Sequence, residues 1–346
     1  MTKVFSHEHL ITLEHLADRI IPILSKLLFR RPMSLKILKR LLRIANPFSD
    51  EDDLERIANF LSNTNKTQAE NWFELKQWMS KGDEACVLTI CQDHMGRGEV
   101  PIPYRQQVRE VCDLIDKGEP IRLFLHLDPR MPNMMGNFWE FQSYISGIKM
   151  YPYMGHFPYD INLNPLWRRC EKFGYPVIWH CSPTNINWYG GKDIDKILKK
   201  SLFPLIHTKN NNKHKSTNFS NPLGIIKVAK STPNINHIIA HLGGKEEVEK
   251  WVDGKDSFTK TIIEACIDLP NVYVDTSFTV HNEKMFDAVL QILKIVPEHK
   301  IIWGTDFYMN KSVADMKNYV IDFRNYIGDD KFNRISSNMS KLINLK

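Results

Sequence analysis

Two histidines spaced two residues apart, His7 and His9, sit within Ser6-His7-Glu8-His9-Leu10 near the start of the sequence. Side chains alternate across a β-strand, so residues at i and i+2 project from one face. Two imidazoles on one face can hold a divalent cation, the beginning of a zinc-type site. An HxH pair is also an ordinary surface feature, so the chemistry depends on what other strands deliver. Later apolar runs end in or near Lys149, His180, His241, Asp275 and Asp306, and Asp93 and His94 follow another. His7, His9, His180 and Asp306 make three imidazoles and one carboxylate, a ligand set suited to zinc or another first-row divalent ion with positions left for water. A lone His such as His180 is otherwise a hydrogen-bonded core residue. Convergence of titratable groups on several strand ends favours the metal.

These groups need a frame that gathers strand ends. Strand-like runs occur at Val4–Leu10, Ala85–Cys91, Ile121–Leu127, Gly147–Pro152, Pro176–Cys181, Ile235–Leu242, Asn271–Ser277 and Lys300–Asp306. Helical spacing separates them at Gln106–Lys117, Phe138–Ser146, Leu163–Phe173, Glu246–Leu269, Glu283–Ile295 and Ser312–Tyr326, and one more helix closes the chain. The strand runs are continuously apolar, as expected for a parallel sheet covered on both faces. Eight βα repeats predict a (β/α)8 TIM barrel, with function at the C-terminal strand ends. A doubly wound sheet also fits the alternation, but it places ligands at one switch point and not on nearly every strand. The expectation is one domain over 1–346, with a helical insertion at about 11–81 and a long loop at about 182–222.

Pro22, Pro32 and Pro47 divide the insertion into several helices. Its stretch Ser25–Ile44 is basic and amphipathic, either a solvated face or a membrane-surface or partner-binding helix. Residues 207–221 read as a mobile surface excursion or as a substrate lid.

Of the 346 residues, 42% are hydrophobic and 25% charged, ordinary for a soluble globular protein with a sizeable core. The formal charge of +6 is spread along the chain and no nucleic-acid motif accompanies it. The six cysteines show no CxxC pairing, which predicts free thiols in a reducing compartment. The N-terminal position of the metal motif leaves no room for a cleavable signal peptide. No apolar run reaches bilayer-spanning length. These features predict a cytoplasmic protein acting on a small molecule, with a homodimer as the default assembly.

The runs, taken together, resemble the amidohydrolase superfamily, specifically its amidohydrolase-related branch of metal-dependent barrel hydrolases and decarboxylases. The resemblance extends from His7 to about Leu345. It is carried by His7-Glu8-His9, Leu127-Asp128-Pro129-Arg130, Gly147-Ile148-Lys149-Met150-Tyr151-Pro152, Val177-Ile178-Trp179-His180, Ala240-His241-Leu242-Gly243-Gly244, Asn271-Val272-Tyr273-Val274-Asp275 and Trp303-Gly304-Thr305-Asp306. The stretch Gly98–Tyr104 is similar to loops of bacterial members. The chain departs from the family at Phe5, where Asp is usual; that Asp is not generally a ligand. His-Glu-His-Leu is also similar to the phosphotriesterase branch, but the Gly-Thr-Asp ending of strand eight fits the amidohydrolase-related branch better.

The resemblance implies a metal-activated water attacking a C–N or C–O bond of a small carbonyl compound. Asp306 would take the water proton and return it to the leaving group, and His241 would hydrogen-bond the oxyanion or the water. One ion per chain, most simply zinc, is expected. Two would be needed if Lys149 is carboxylated and bridges them, whereas an uncarboxylated Lys149 would neutralise a carboxylate of the substrate or of a neighbouring strand. Arg130 and Tyr151 are further substrate-contact candidates, Arg130 having a structural ion pair as its plain alternative. Asp93 and His94 stand where a substrate loop belongs, although a turn explains Asp93 almost as well. The competing functions are a non-oxidative decarboxylase on the same ligands and a non-catalytic barrel that binds a partner through residues 25–44.

Overall fold

Short aliphatic runs with inward and outward alternation give eight strands: β1 Val4–Glu8, β2 Glu84–Leu88, β3 Ile121–His126, β4 Ile145–Met150, β5 Val177–Trp179, β6 His237–Ile239, β7 Val272–Asp275 and β8 Ile301–Ile302. The computed structural model describes residues 3–20, 59–60, 65–183, 187–311, 316 and 318–343. The basic stretch 25–44 and the three prolines of the insertion lie outside the described residues. All the strands run parallel and pair in sequence order, the TIM-barrel arrangement that the βα rhythm predicts.

Alternation along each strand sorts side chains into two cores. Val4, Cys86, Leu88, Phe124, Ile178, Ile238 and Ile302 pack together inside the barrel. Ala85, Val87, Leu123, Leu125, Val177, Trp179, Ile239 and Trp303 belong to the larger cluster under the helices. That layer comprises α1 Gln68–Lys76, α2 Tyr104–Asp116, α3 Met134–Phe141, α4 Asn164–Phe173, α5 Pro222–Ser231, α6 Lys245–Val252, α7 Phe258–Asp268 and α8 Glu283–Ile292. In α2 the spacing Val108, Val111, Cys112 produces the buried stripe, and each fully buried aliphatic contributes about 1.5–3 kcal/mol. The last helix, α9 Asp329–Ile343, sends Met339, Leu342 and Ile343 into the inner core. It therefore plugs the N-terminal end of the barrel and leaves the C-terminal end for chemistry.

The segment expected as one helix over 246–269 is two, α6 and α7. Gly254, at φ +73°, ends the first, and the Ser257 side chain caps the second by accepting the Lys260 N–H. Within the loop after β5, residues 208–211, 213 and 214 are exposed, whereas 216–220 are buried and anchor its far end. Phe219 joins Phe157, Tyr189, Ile194 and Leu198 in a small core of its own. The Tyr153 hydroxyl holds the loop through the carbonyls of Pro183 and Lys213.

The seam between β8 and β1 is closed largely by side chains. The Ser6 hydroxyl donates to the Trp303 carbonyl at 2.7 Å, and the Asp306 N–H donates to the His7 carbonyl at 2.7 Å. A Cβ on Gly304 would lie 2.7 Å from the Ser6 hydroxyl and 2.9 Å from the His7 Cβ, so this approach requires glycine. The Glu8 carboxylate accepts from the Thr305 N–H, the Thr305 hydroxyl and the Phe307 N–H at 3.2, 2.6 and 2.9 Å. Between those residues Asp306 is held at φ +50°, ψ +46°, a left-handed conformation uncommon outside glycine, although Asp and Asn adopt it more readily than other residues.

Candidate functional site

His7 and His9 share one side of the β1 end, with ring centroids 5.4 Å apart, as the i, i+2 spacing requires. The ligand-type atoms of His7, His9 and Asp306 all lie within 4.8 Å of one another, as do those of His7, His241 and Asp275. His180 enters through His241, with its Nδ1 3.2 Å from the His241 Nε2. The structure thus brings His7, His9 and Asp306 together, sets Asp275 and His241 beside His7, and places His180 against His241.

Hydrogen-bond partners assign the tautomers. The His7 Nδ1 faces the Asp275 carboxylate at 2.8 Å and so carries its hydrogen, which leaves Nε2 as the lone-pair nitrogen. The His9 Nδ1 donates to the Leu88 carbonyl at 3.1 Å, turning its Nε2 toward the Asp306 Oδ1 at 3.6 Å. The His241 Nδ1 donates to the Ser277 carbonyl at 3.0 Å, so its Nε2 accepts from the His180 Nδ1, and His180 also presents Nε2 as a lone pair. Metal-binding histidines characteristically have one nitrogen tied to a carboxylate or carbonyl and the other presenting its lone pair, the pattern of His7 and His9. The Asp306 Oδ1 is buried and has no hydrogen-bond partner among the described residues.

Burial dominates the electrostatics. It holds His7 and His180 far below the usual imidazole range, His9 at about 3 and His241 at about 4, so all four are neutral at pH 7. Burial and the neighbouring Glu8 carboxylate push Asp306 well above the usual carboxylate range, while Lys149 falls to about 7. Without a bound cation, burial disfavours the charged forms of the four histidines, Asp306 and Lys149. A divalent ion supplies the compensating charge, so the residues present fit one.

Lys149 lies inside the cluster, its Nζ 3.2 Å from the His7 Nε2, where the carboxylates of Asp275 and Asp306 partly offset the burial that lowers it. Tyr151 sits one step further out, its ring 6.1 and 6.2 Å from the His180 and His9 rings. The Arg130 guanidinium is committed to Asp128 at 2.6 and 2.8 Å and to the Met154 carbonyl at 2.9 Å, the structural ion pair that was its plain alternative. Asp93 is exposed and accepts from the Cys91 thiol, and His94 is half-buried beside it. Among the described residues neither joins the histidine cluster.

A family model described as Amidohydrolase matches residues 142–330, more than half of the sequence. The chain belongs to the amidohydrolase family. No curated protein matches this amidohydrolase. Among solved structures it is similar to an uncharacterised TIM-barrel protein from Bordetella bronchiseptica, at 16% identity over 99% of this chain and 98% of that one, TM-score 0.56. It is also similar to 5-carboxyvanillate decarboxylase from Sphingomonas paucimobilis, at 12% identity over 100% and 99%, TM-score 0.54. A dihydroxybenzoic acid decarboxylase from a Polaromonas species, solved with bound manganese and the inhibitor 2-nitroresorcinol, matches at 12% identity over 99% and 97%, TM-score 0.54. At such identities these likenesses establish the fold of the amidohydrolase and nothing finer.

Sequence reasoning left several site residues without a role. Asp275 ends β7 and was legible as a polar strand end, but its bond to His7 spans 268 residues. Ser277 donates from its N–H to the Asp275 Oδ1 at 3.0 Å, and its hydroxyl lies 3.1 Å from the His7 Nδ1. Glu8 is given no role by the sequence and proves to be the seam acceptor. His126 closes β3 on the same parity as inward Phe124, a signal that was available.

Proposed function

We propose that this amidohydrolase is a zinc-dependent hydrolase cleaving a C–N or C–O bond of a small carbonyl compound, with His7, His9, His180 and Asp306 as ligands. The observation that supports it is the gathering of the ligand-type atoms of His7, His9 and Asp306 within 4.8 Å of one another, with the Nδ1 atoms of His7, His9 and His180 serving as donors so that each ring turns its Nε2 lone pair outward. A nitrogen-rich set with one carboxylate suits zinc. When bound, the ion lowers the pKa of a water and polarises a carbonyl.

The chain's own residues divide the remaining work. Asp306, whose neutral form burial favours, receives a proton on its carboxylate and returns it to the leaving group. Asp275 orients His7 through Nδ1 and fixes the His241 backbone by accepting its N–H at 2.9 Å. His241 orients His180 in place of the direct oxyanion contact the family resemblance implies, because both its nitrogens are already engaged. Lys149 balances the carboxylates of Asp275 and Asp306. The described cysteines, all six of the chain, are unpaired and buried, which supports a reducing compartment. No helix among the described residues is long and apolar enough to cross a membrane.

Hydrolysis is tested by incubating zinc-loaded protein in H2 18O with small amides, lactams and esters and following products by mass spectrometry. Label in the product, lost in Asp306→Asn, supports hydrolysis. Release of carbon dioxide from carboxylated substrates without label incorporation replaces it with decarboxylation.

A further inference from the structure

The barrel mouth has a second arc that the metal centre does not use. His126 and Lys149 are direct partners in the β3–β4 ladder, and Tyr151 follows two residues after Lys149. The Tyr151 ring stands 4.8 Å from the His126 ring, edge to face, and 4.8 Å from the Lys149 Nζ. On its other side lie His9 and His180. Tyr151 is thus the boundary between the histidine cluster and the β3–β4 side.

His126 is fixed on three sides. Its N–H donates to the Thr89 hydroxyl at 2.9 Å, its carbonyl accepts from the Tyr104 hydroxyl at 2.6 Å, and its Nδ1 accepts from the Cys91 N–H at 2.8 Å. A backbone amide can only donate, so Nδ1 is the lone-pair nitrogen and Nε2 carries the hydrogen. That Nε2–H is fully buried and has no partner among the described residues, and neither has the buried Tyr151 hydroxyl. Buried donors in native proteins are almost always paired, and leaving one bare costs about 1–3 kcal/mol. Here the surrounding bonds fix the imidazole in place and leave one donor atom uncommitted. Preorganised donors of this kind are what an oxygen-binding subsite requires.

We propose that the His126 Nε2–H and the Tyr151 hydroxyl form a donor pair that binds an sp2 oxygen of the substrate, a carboxylate or carbonyl oxygen, opposite the proposed metal ligands. The assignment of a substrate rests on the hydrolase reading; the donor pair itself does not. Nε2 bears a hydrogen, so the recognised atom is an acceptor. Burial keeps His126 neutral, at about 3, so it donates one hydrogen from one nitrogen throughout the physiological range. Arg130, the more obvious anion binder in sequence, is consumed by Asp128 and leaves this task to neutral donors.

The test is nitrogen NMR on full-length protein labelled with 15N-histidine, in zinc-loaded and metal-free forms, titrated with acetate and with acetamide. Loss of a signal in His126→Gln assigns the residue. The expected result is an Nε2–H tautomer for His126 whose Nε2 resonance moves on titration, with apparent affinity falling about tenfold or more in Tyr151→Phe. A response to acetate alone assigns a carboxylate subsite, and one to acetamide as well assigns a carbonyl subsite. An Nδ1–H tautomer, or a His126 signal unmoved by both probes in both forms, overturns the inference. The metal-free arm reads the donor pair even where the zinc content shows the metal assignment to be wrong.

Discussion

Replacing Asp275 with Asn exchanges one carboxylate oxygen for an amide nitrogen in the group that orients His7. The Oδ1 side is fixed as an acceptor by the His241 N–H at 2.9 Å, the Ser277 N–H at 3.0 Å and the Ser277 hydroxyl. The oxygen of the new side chain must therefore stay there, and its NH2 must face the His7 Nδ1, 2.8 Å away in the wild type. A donor facing Nδ1 turns that atom into the lone-pair nitrogen and moves the hydrogen to Nε2, the nitrogen proposed to bind the ion. Loss of an orienting partner of this kind weakens metal affinity about 10–100-fold, roughly 1.4–2.7 kcal/mol. Zinc affinity is read by competition against a chromophoric chelator near neutral pH, with circular dichroism to establish that the variant is folded. A folded Asp275→Asn protein that binds zinc within twofold of wild type refutes the tautomer argument.

Other substitutions probe the frame around the site. Glu8→Ala leaves the Thr305 and Phe307 donors without their acceptor and is expected to cost about 2–4 kcal/mol in urea unfolding, while Glu8→Gln recovers part of the loss; equal losses in the two variants contradict the acceptor role. Gly304→Ala drives a methyl against Ser6 and His7 and should destabilise by about 1–3 kcal/mol, with zinc affinity falling alongside. His237, away from the cluster, accepts from the Trp179 indole at 3.0 Å and donates to Thr232 at 2.8 Å, and burial lowers it to about 3. Because the folded value lies below that of the unfolded chain, its stabilisation is complete above about pH 6.5 and is lost as pH falls toward 3. Wild type should therefore lose about 2 kcal/mol through this residue between pH 7.5 and 5, a loss absent from His237→Asn; parallel pH profiles for the two proteins count against it.

The barrel and the core of its site were legible because they depend on local pattern. Continuous apolar runs announce parallel strands, and His7 and His9 fall on one side through the period of the strand alone. Burial parity would also have turned His126 inward from Phe124, but Arg130 offered a charge close by and drew the substrate role, and the structure bonds its guanidinium to Asp128. The left-handed backbones of His241 and Asp306 carry no sequence signature, since only contacts such as those of Glu8 stabilise them. Asp275 could be placed at a strand end, yet nothing near it in sequence indicates that it orients a histidine on β1. The division of α6 from α7 rests on Gly254 and Ser257, local signals that an unbroken apolar spacing concealed.

Metal content per chain, measured by mass spectrometry on protein purified without chelators, tests the central claim most directly. About one divalent ion per wild-type chain is expected, with its loss in both His9→Ala and Asp306→Asn while the fold is retained. Wild-type protein that holds no ion after supplementation with zinc or manganese, or variants that keep it, contradict the metal centre.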